Sequence, residues 1–420
     1  MSQVPSRYFL RQVRLSRFKA VSDQQRIPLS PLSVLIGRNG SGKSTLIEAL
    51  QWIDTTLRRD ANAACDPYRG IGDLINKKAA KDSFEINLLW AGEAEGAETA
   101  AIADNQSHVD YSVEVARLIQ GVGIEKERMS AGQRPCIRTE WWAKRRVEPD
   151  ALRGQRIGQV TVLHRRLIAV TAEQEVPYMT IDRLALSLAP AVADEMWPDG
   201  PLVTVRRFFR DAVFLRLSPK SLSQPSRVTR SSDEPILDEE GARLPALLRE
   251  LSDEQLEDVV KQLKQVLPDV RGLGVTSSGE SDLPIHYHLR EAMSAPEQSS
   301  LQAVLPAWML SEGTRRLTAL FALLARDPPP SLLCIEEIEN GLDPWTVVAV
   351  LHALRSAVAR GVQVLVTTHS PWLLDHVRLD EIIRVRRIAG ETRYERFADD
   401  AEVQAFREGV PPGLRYVRGG

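Results

Sequence analysis

Cysteine and long apolar runs are scarce in this sequence. The three cysteines, Cys65, Cys136 and Cys334, lie far apart and form no C-x-x-C pair. This usage fits a reducing compartment and argues against a zinc site made of cysteines. No apolar stretch approaches the ~20 residues that a membrane-spanning helix needs, and the N-terminus lacks the apolar core of a secretory signal peptide. We therefore expect a cytoplasmic protein that has no membrane partner.

The sequence also has little net charge. Its 420 residues are 43% hydrophobic and 26% charged, which is typical of a globular protein, and the formal net charge is -2. A uniformly basic nucleic-acid binder is therefore not indicated. The charge is uneven, however, because residues 1–60 contain ten Lys or Arg against four Asp or Glu. Two interpretations stay open: a solvated sheet edge with one phosphate site, or a local nucleic-acid surface.

One glycine-rich segment carries a specific motif. "GRNGSGKS", residues 37–44, matches G-x-x-x-x-G-K-[ST] and lies between a predicted buried strand and a predicted helix. Glycines let the backbone curve tightly and aim its N–H groups at phosphate oxygens, and the following helix adds its positive end. We expect Lys43 to reach the β- and γ-phosphates of ATP and the Ser44 hydroxyl to ligate Mg²⁺. The predicted phosphate-binding residues of this segment are Gly37, Arg38, Asn39, Gly40, Ser41, Gly42, Lys43, Ser44 and Thr45.

Three glutamates follow a second apolar segment. In "LLCIEEIENGLDP", residues 332–344, a run of four apolar residues ends in Glu336, Glu337 and Glu339. With the glycine-rich motif upstream, an apolar strand that ends in acids indicates a Walker B segment. We expect Glu336 to hold Mg²⁺, directly or through water. Glu337 is expected to be the general base for the attacking water, a role typically worth about 10²–10⁴ in rate.

A histidine follows a third predicted strand. "LVTTHSP", residues 365–371, places His369 at the carboxyl end of a parallel strand, where open α/β sheets bind ligands. An imidazole at that position can hydrogen-bond the γ-phosphate and so report its presence. His369 is therefore a candidate catalytic residue beside Lys43 and Glu337.

A further segment, "MLSEGTRRL" at residues 309–317, predicts the start of a helix. Ser311 and Gly313 would lie at its N-terminus. Free backbone N–H groups and the helix dipole bind anions at such an end. The segment therefore predicts a second anion-binding element, far from the first in sequence.

The order of the predicted elements indicates an α/β protein of three segments. Strand, helix and strand in succession near the C-terminus predict a parallel core sheet, and alternating segments before residue 170 predict antiparallel strands. An amphipathic stretch at residues 244–270 predicts helices without a long coiled coil. We divide the chain into an N-terminal lobe at 1–185, an inserted, mostly helical lobe at 186–282 and a C-terminal lobe at 283–420.

These motifs resemble those of RecF/SMC-type members of the ABC ATPase superfamily, in the branch near RecF and the OLD-family ATPases. "LSRFKA" is similar to an N-terminal strand motif, with Lys19 at a basic position that could touch phosphate. "LSEGTRR" resembles the branch's form of the ABC signature, with Glu312 in place of Asp. "IEEIENGLDP" resembles its Walker B segment and D-loop, with Ile338 for Pro and Asp343 for His, and His369 matches the switch histidine.

The resemblance implies a fold and a mechanism. The fold is a P-loop NTPase of ABC/RecF type, with a parallel core sheet, an antiparallel β lobe and an inserted helical lobe. In this superfamily two nucleotide domains enclose two ATP molecules, and the signature of one subunit caps the γ-phosphate held by the other. Ser311, Glu312 and Gly313 would therefore bind ATP in trans, in a homodimer or higher oligomer that ATP closes and hydrolysis opens. Glu339, at the start of the D-loop, would shape the dimer contact.

Three biological roles are compatible with the resemblance. The first is a DNA-associated ATPase of repair or genome maintenance, with double-stranded DNA as partner. The second is the ATPase sensor of a bacterial defence system that controls a separate nuclease or toxin effector. The third, a transporter subunit, is disfavoured because such subunits keep the two motifs much closer than the 268 positions between Lys43 and Ser311 (311 − 43). Only 51 residues follow His369 (420 − 369), so we expect any nuclease activity to come from a partner.

One element of the family pattern has no clear counterpart in the sequence. ABC ATPases carry a Q-loop glutamine, and Gln155 and Gln159 are candidates on sequence position alone. The Q-loop therefore stays unassigned by sequence.

Overall fold

The computed structural model describes residues 8–92, 108–118, 121–132, 134–149, 156–168, 180–188, 201–226, 234–276, 284–293, 302–404 and 409–418. The chain forms two compact units, each built from segments that are distant in sequence. Unit 1 consists of Met1–Leu29, Glu48–Phe209 and Arg387–Arg393. Unit 2 consists of Ser30–Ile47, Arg210–Arg386 and Tyr394–Gly420. The division into three lobes that the sequence suggested stays a prediction.

A six-stranded sheet forms the core of unit 2. Its strands, in spatial order, are β16 (Glu391–Arg396), β15 (Ile382–Ile388), β3 (Leu32–Ile36), β14 (Gln363–Thr368), β13 (Leu332–Ile335) and β9 (Ala212–Leu215). The five strands from β15 to β9 pair in parallel. Strands β3, β9, β13 and β14 are buried along their whole length, as expected for parallel strands covered on both faces.

Helices follow several of these strands. The helices of the described residues are α1 (Lys43–Arg58), α2 (Ala61–Cys65), α3 (Ala185–Leu188), α4 (Pro201–Arg210), α5 (Pro219–Leu222), α6 (Leu244–Glu250), α7 (Asp253–Val266), α8 (Glu312–Ala325), α9 (Pro344–Ala359), α10 (Pro371–Leu374), α11 (Ala401–Gln404) and α12 (Pro412–Arg418). Buried side chains of α8 and α9, such as Leu320 and Val350, join Leu333 and Val366 of the sheet in one apolar core. Because this core covers the central strands, it fixes the loops at their carboxyl ends.

A small antiparallel sheet precedes helix α8. It contains β10 (Val270–Thr276), β11 (His286–Ala292) and β12 (Gln302–Pro306) in that order. Helix α7, which comes before it, begins with a capping box in which Ser252 and Gln255 bond each other's backbone N–H groups. Leu263 of α7 and Leu289 of β11 belong to the same apolar core as α8. The start of α8 is therefore held by packed elements.

Unit 1 contains a seven-stranded antiparallel sheet. Its spatial order is β2 (Gln25–Pro28), β1 (Tyr8–Ser16), β4 (Ser83–Gly92), β5 (His108–Leu118), β6 (Gly121–Ala131), β7 (Arg134–Pro149) and β8 (Arg156–Ile168). Edge-to-face aromatic contacts lie in its core, where the Phe84 ring is 5.0 Å from that of Phe18 and 5.2 Å from that of Trp52. The alternating segments of the sequence are thus paired strands.

The predicted fold class is confirmed: a parallel core sheet is combined with antiparallel strands. One segment has a different place from the one that the sequence suggested. Residues 212–215, which we grouped with the inserted lobe, form β9 at the edge of the central sheet beside β13. Among the described residues, no helix combines the length and apolarity of a membrane span.

Candidate functional site

Three neighbouring strands of unit 2 end at the same edge of the sheet. Strands β3, β13 and β14 pair in parallel, so their carboxyl ends lie side by side. The glycine-rich P-loop follows β3, Glu336 and Glu337 follow β13, and His369 follows β14. Ligands of open parallel sheets bind at this edge. The structure therefore brings these three sequence-predicted groups together.

The P-loop is shaped by glycines and by the strands beside it. Gly40 and Gly42 have φ values of 71° and 105°, in a region where an L side chain is strained. A Cβ on Gly37 would lie 2.3 Å from the carbonyl oxygen of Val385, so only glycine fits there. The Tyr394 hydroxyl donates a hydrogen bond of 2.6 Å to the Gly42 carbonyl oxygen. Strands β15 and β16 thus support the loop from one side.

Exposure differs along the P-loop. Its tip, residues 38–40 (Arg38, Asn39 and Gly40), is exposed, whereas Ser41 and Thr45 are buried. Exposed backbone N–H groups at a loop tip that leads into a helix N-terminus are the donors that a phosphate chain requires. The tip is therefore open to a ligand while the base of the loop is fixed.

Lys43 is folded back onto the P-loop. Its Nζ donates hydrogen bonds to the carbonyl oxygens of Gly37, at 2.8 Å, and Arg38, at 3.2 Å. Burial lowers the pKa of Lys43, and the nearby carboxylates of Glu337, Glu339 and Glu336 oppose that shift by favouring the ammonium. Lys43 therefore supplies a largely buried cation near three carboxylates.

Ser44 and Glu336 form the contact that could hold a divalent cation. The Ser44 hydroxyl donates a hydrogen bond of 2.6 Å to Glu336 Oε2. A hydroxyl and one carboxylate are a donor set that suits Mg²⁺, which commonly uses one or two carboxylates and takes its other ligands from substrate phosphates and water. The residues present therefore fit the magnesium ion that the sequence implied.

Glu337 is held in an uncommon backbone conformation. Its φ is 51°, which few non-glycine residues adopt, and its N–H donates to the Thr367 hydroxyl at 2.9 Å. The chain therefore turns immediately after β13, and Glu336 and Glu337 line the same cleft although successive strand residues would face opposite ways. The Glu337 side chain is 51% exposed, and its Oε1 lies 3.9 Å from His369 Nε2. Such a carboxylate is accessible to water, as a general base must be.

A cleft of about 470 Å³ lies beside these carboxylates in unit 2. Glu336, Glu337 and Asn340 line one part of it, and Arg216 and Arg316 line another. Arg216 directly follows β9, so the edge strand of the sheet contributes to this cleft. The cleft gives solvent and ligand access to the acidic pair.

His369 lies between the lysine and the glutamates. Its Nδ1 is 3.4 Å from Lys43 Nζ, and its backbone N–H donates a hydrogen bond of 2.6 Å to Glu339 Oε1. Glu339 is therefore bound to the loop after β14. The D-loop resemblance had suggested a role for Glu339 in a dimer contact, and that suggestion stays a prediction.

The signature residues lie at the N-terminus of α8. Ser311 is the N-cap, and its hydroxyl accepts the N–H of Thr314 at 3.1 Å. Glu312 forms an ion pair of 2.8 Å with Arg316 one turn later. A Cβ on Gly313 would lie 2.7 Å from the Gly341 carbonyl oxygen, so α8 touches the D-loop within one chain. The exposed N-terminus of α8 is therefore adjacent to the turn that follows the acids.

Lys19 lies in unit 1. Its Nζ forms an ion pair of 2.5 Å with Glu48 and lies 4.8 Å from the centre of the Tyr68 ring. Of the two Q-loop candidates, Gln159 is part of strand β8, and Gln155 is outside the described residues. The contact of Lys19 with phosphate stays a prediction.

Sequence reasoning did not identify two residues that shape this site. Thr367 holds the turn at Glu337, and Tyr394 holds Gly42. A signal for Thr367 was present, because two threonines end an otherwise apolar strand. Tyr394 had none, because it lies 352 positions from its partner.

Two family models match parts of the chain. Residues 206–375 match the family described as "AAA domain, putative AbiEii toxin, Type IV TA system". Residues 12–138 match a second family, described as "AAA domain". The first match contains the signature, the acids and His369, and the second contains the P-loop. No curated protein matches the sequence.

Solved structures of SMC heads share the fold. A Smc head bound to the C-winged helix domain of ScpA is 15% identical, with a TM-score of 0.55 over 92% of this chain and 97% of that one. A Pyrococcus furiosus Smc head bound to the C-terminal domain of ScpA is 14% identical, with a TM-score of 0.52 over 92% and 96%. A Pyrococcus yayanosii Smc head is 12% identical, with a TM-score of 0.50 over 98% and 99%. The family models and this fold confirm the predicted resemblance to RecF/SMC-type ATPases.

Proposed function

We propose that the chain is an ATP-hydrolysing molecular switch that works as a homodimer. The observation that carries the proposal is the hydrogen bond between Ser44 and Glu336, which joins the P-loop to the first acid after β13. Lys43 supplies a cation at the same edge, and Glu337 supplies a second, more exposed carboxylate. A hydroxyl, a cation and two carboxylates of different exposure are the groups that magnesium-dependent phosphoryl transfer uses.

Each residue has a separate task in this proposal. The P-loop N–H groups and Lys43 bind the β- and γ-phosphate oxygens. Ser44 and Glu336 would hold Mg²⁺, which would neutralise charge on the phosphates. Glu337 accepts a proton from the attacking water, and His369 hydrogen-bonds the γ-phosphate. The water oxygen then forms the new bond to phosphorus as the bond to ADP breaks.

The dimer of this proposal rests on the resemblance to the ABC ATPase superfamily, in which the signature of one subunit caps the nucleotide held by the other. Each chain carries one P-loop and one signature, and the signature N-terminus at Ser311, Glu312 and Gly313 binds the γ-phosphate held by the second copy. Exposure of Ser311 at the start of α8 supports this arrangement. ATP therefore favours the closed dimer, and its hydrolysis favours the open one.

The switch is proposed to act on DNA, in repair or genome maintenance, in the cytoplasm. The resemblance of its motifs to those of RecF/SMC-type ATPases supports this role. Unit 1 also presents exposed cations that would attract phosphate backbone. These cations are Arg26, Arg59, Lys77, Lys78 and Lys81.

A second candidate function is the ATPase sensor of a bacterial antiphage defence system, which would control a separate nuclease or toxin. The description of the family model over residues 206–375 favours it, because that description names a toxin system. In this case the dimer responds to a partner protein instead of DNA. A transporter subunit has no such support.

The test compares ATP hydrolysis and oligomer size with and without double-stranded DNA. We expect the wild type to hydrolyse ATP with Mg²⁺ and to form an ATP-dependent dimer. Stimulation or dimer stabilisation by DNA supports the first role. A complete lack of response to DNA favours the sensor, and a lack of magnesium-dependent hydrolysis would contradict both.

A further inference from the structure

The third glutamate after β13 is bound to the loop that follows β14 and begins at His369, which we call the switch loop. Glu339 Oε1 accepts the His369 backbone N–H at 2.6 Å, across 30 positions of sequence. Its other oxygen, Oε2, is buried and has no hydrogen-bond partner among the described residues. The His369 ring in turn lies 3.4 Å from Lys43 Nζ. Glu339 therefore holds the backbone of a residue whose ring lies beside the lysine of the P-loop.

The backbone of Glu339 belongs to a turn that contacts the signature helix. Its carbonyl oxygen accepts the N–H of Leu342 at 3.1 Å, and Gly341 between them has a φ of 70°. The Gly341 carbonyl oxygen packs against Gly313 of α8, where a Cβ would come within 2.7 Å. The Glu339 side chain thus contacts the loop after β14, and the turn that begins at Glu339 contacts the start of α8 through Gly341.

The length of the Glu339 side chain determines its contact with His369. Glutamine has the same length and a carbonyl oxygen that accepts the same N–H. Aspartate keeps the charge but is one methylene shorter. The contact therefore depends on the length of the side chain and on an acceptor oxygen at its end.

We propose that Glu339 is a positioning residue that sets the place of His369 and couples it to the signature helix. When His369 binds the γ-phosphate, the Glu339 side chain holds the switch loop in place. A movement of that loop is transmitted to α8 through the turn from Glu339 to Leu342. Glu339 itself does not touch the reacting atoms. The proposal rests on the proposed ATPase function and adds to it the link within one chain between nucleotide binding and the surface that meets the second copy.

Two conservative variants separate the effect of the length of the Glu339 side chain from the effect of its charge. Glu339→Gln keeps the length and the acceptor but removes the charge, whereas Glu339→Asp keeps the charge but is one methylene too short to reach His369. We expect Glu339→Gln to keep kcat within about 3-fold and Glu339→Asp to lose about 10-fold, with the Kd for ATP changed less than about 3-fold in both. Glu257→Gln, on the exposed face of α7, is the matched control and should leave kcat unchanged.

A double-mutant cycle shows whether Glu339 acts through His369. In a His369→Ala background, Glu339→Asp should cause no further loss of kcat, since there is no imidazole left to position. In a Glu337→Gln background, Glu339→Asp should lower the fraction of ATP-dependent dimer at a fixed protein concentration. Thermal unfolding of each variant identifies losses that are due to misfolding, and both substitutions are small enough to keep the fold.

The outcomes distinguish this inference from the function on which it rests. A wild type that neither binds nor hydrolyses ATP would contradict the proposed function. If the wild type is active, two results would overturn the positioning role alone. The first is a kcat of Glu339→Asp that equals or exceeds that of Glu339→Gln. The second is a double variant in which the losses of kcat from Glu339→Asp and His369→Ala are additive. An unchanged dimer fraction in Glu337→Gln, Glu339→Asp would overturn the coupling to α8.

Discussion

Ser44 and Glu336 are 292 positions apart in sequence, yet the Ser44 hydroxyl donates a 2.6 Å hydrogen bond to Glu336 Oε2. Parallel pairing of β3, β14 and β13 produces this contact, because each strand delivers its following loop to the same edge. Much of the sequence between the two residues, Glu48–Phe209, belongs to unit 1 and not to the unit that contains Ser44 and Glu336. The pair therefore lies where we propose that magnesium-dependent chemistry takes place.

Replacement of Ser44 or of Glu336 should weaken magnesium-dependent ATP binding. Even outer-shell partners of metal sites contribute about 10–100-fold in metal affinity, so Ser44→Ala and Glu336→Gln should each cost about 10-fold or more. Titration of ATP with Mg²⁺ and again with EDTA measures the effect. The variants should resemble wild type in EDTA, and an equal loss in both conditions would show that the pair does not act through the metal.

Tyr394 should contribute to nucleotide affinity through the P-loop. Tyr394→Phe removes the hydrogen bond to the Gly42 carbonyl oxygen. Such a bond is worth about 0.5–1.5 kcal/mol, which corresponds to an ATP Kd about 2–10-fold higher, with kcat at saturating ATP retained. Isothermal titration against Tyr416→Phe, a partly buried tyrosine of α12, gives the comparison. An unchanged Kd would mean that the loop keeps its shape without this support.

Asp54 should make the stability of the protein depend on pH. Its two oxygens share the N–H of Arg58 Nε, each at 2.9 Å, but burial outweighs the arginine and raises the pKa of Asp54 to about 6. Between the ordinary value of 3.8 and about 6, the native state keeps a proton that the unfolded state has released. The free energy of unfolding therefore falls as pH rises through this window, by on the order of 3 kcal/mol.

Urea unfolding of wild type and Asp54→Asn at pH values from 4.5 to 7 checks this dependence. Asparagine cannot titrate, so the variant should lack this part of the decrease, and the two stability curves should converge or cross. Parallel curves would show that Asp54 is ionised in the native state throughout this range.

Asp343 should stabilise helix α9 as its N-cap. Its carboxylate accepts the Thr346 N–H at 3.0 Å and the Thr346 hydroxyl at 2.5 Å. Asp343→Ala should lower the free energy of unfolding by about 1 kcal/mol, whereas Asp343→Asn, which keeps an acceptor, should lose less. Chemical denaturation of both variants measures the difference. Equal stability of Asp343→Ala and the wild type would show that water replaces the Asp343 carboxylate at the start of α9.

Contiguous motifs made half of this site predictable from the sequence. The P-loop and the acids after β13 are short strings whose spacing carries the chemistry, and the surrounding apolar runs indicate their strands. The departure of the D-loop from the family pattern also has a physical reason. Asp343 replaces a histidine and caps α9, and Ile338, which replaces a proline, is 4% exposed in the core of unit 2.

The remaining features depend on tertiary contacts that no local pattern reports. Glu339 reaches His369 and Tyr394 reaches Gly42 only because of the order of strands in the sheet. The sequence pattern does not assign β9 to the central sheet, because four apolar residues do not distinguish a buried strand from a helix turn. Its pairing with β13 fixes Arg216 beside the acidic pair.

The most direct test of the account is the behaviour of Glu337→Gln with ATP and Mg²⁺. Glutamine keeps the size of the side chain but cannot accept the proton of the attacking water, so hydrolysis should fall by about 10²-fold or more. Binding of ATP should be retained, and light scattering should show accumulation of a closed dimer that the wild type forms only transiently. A variant that hydrolyses ATP at the wild-type rate, or that binds ATP and stays monomeric, would contradict the account.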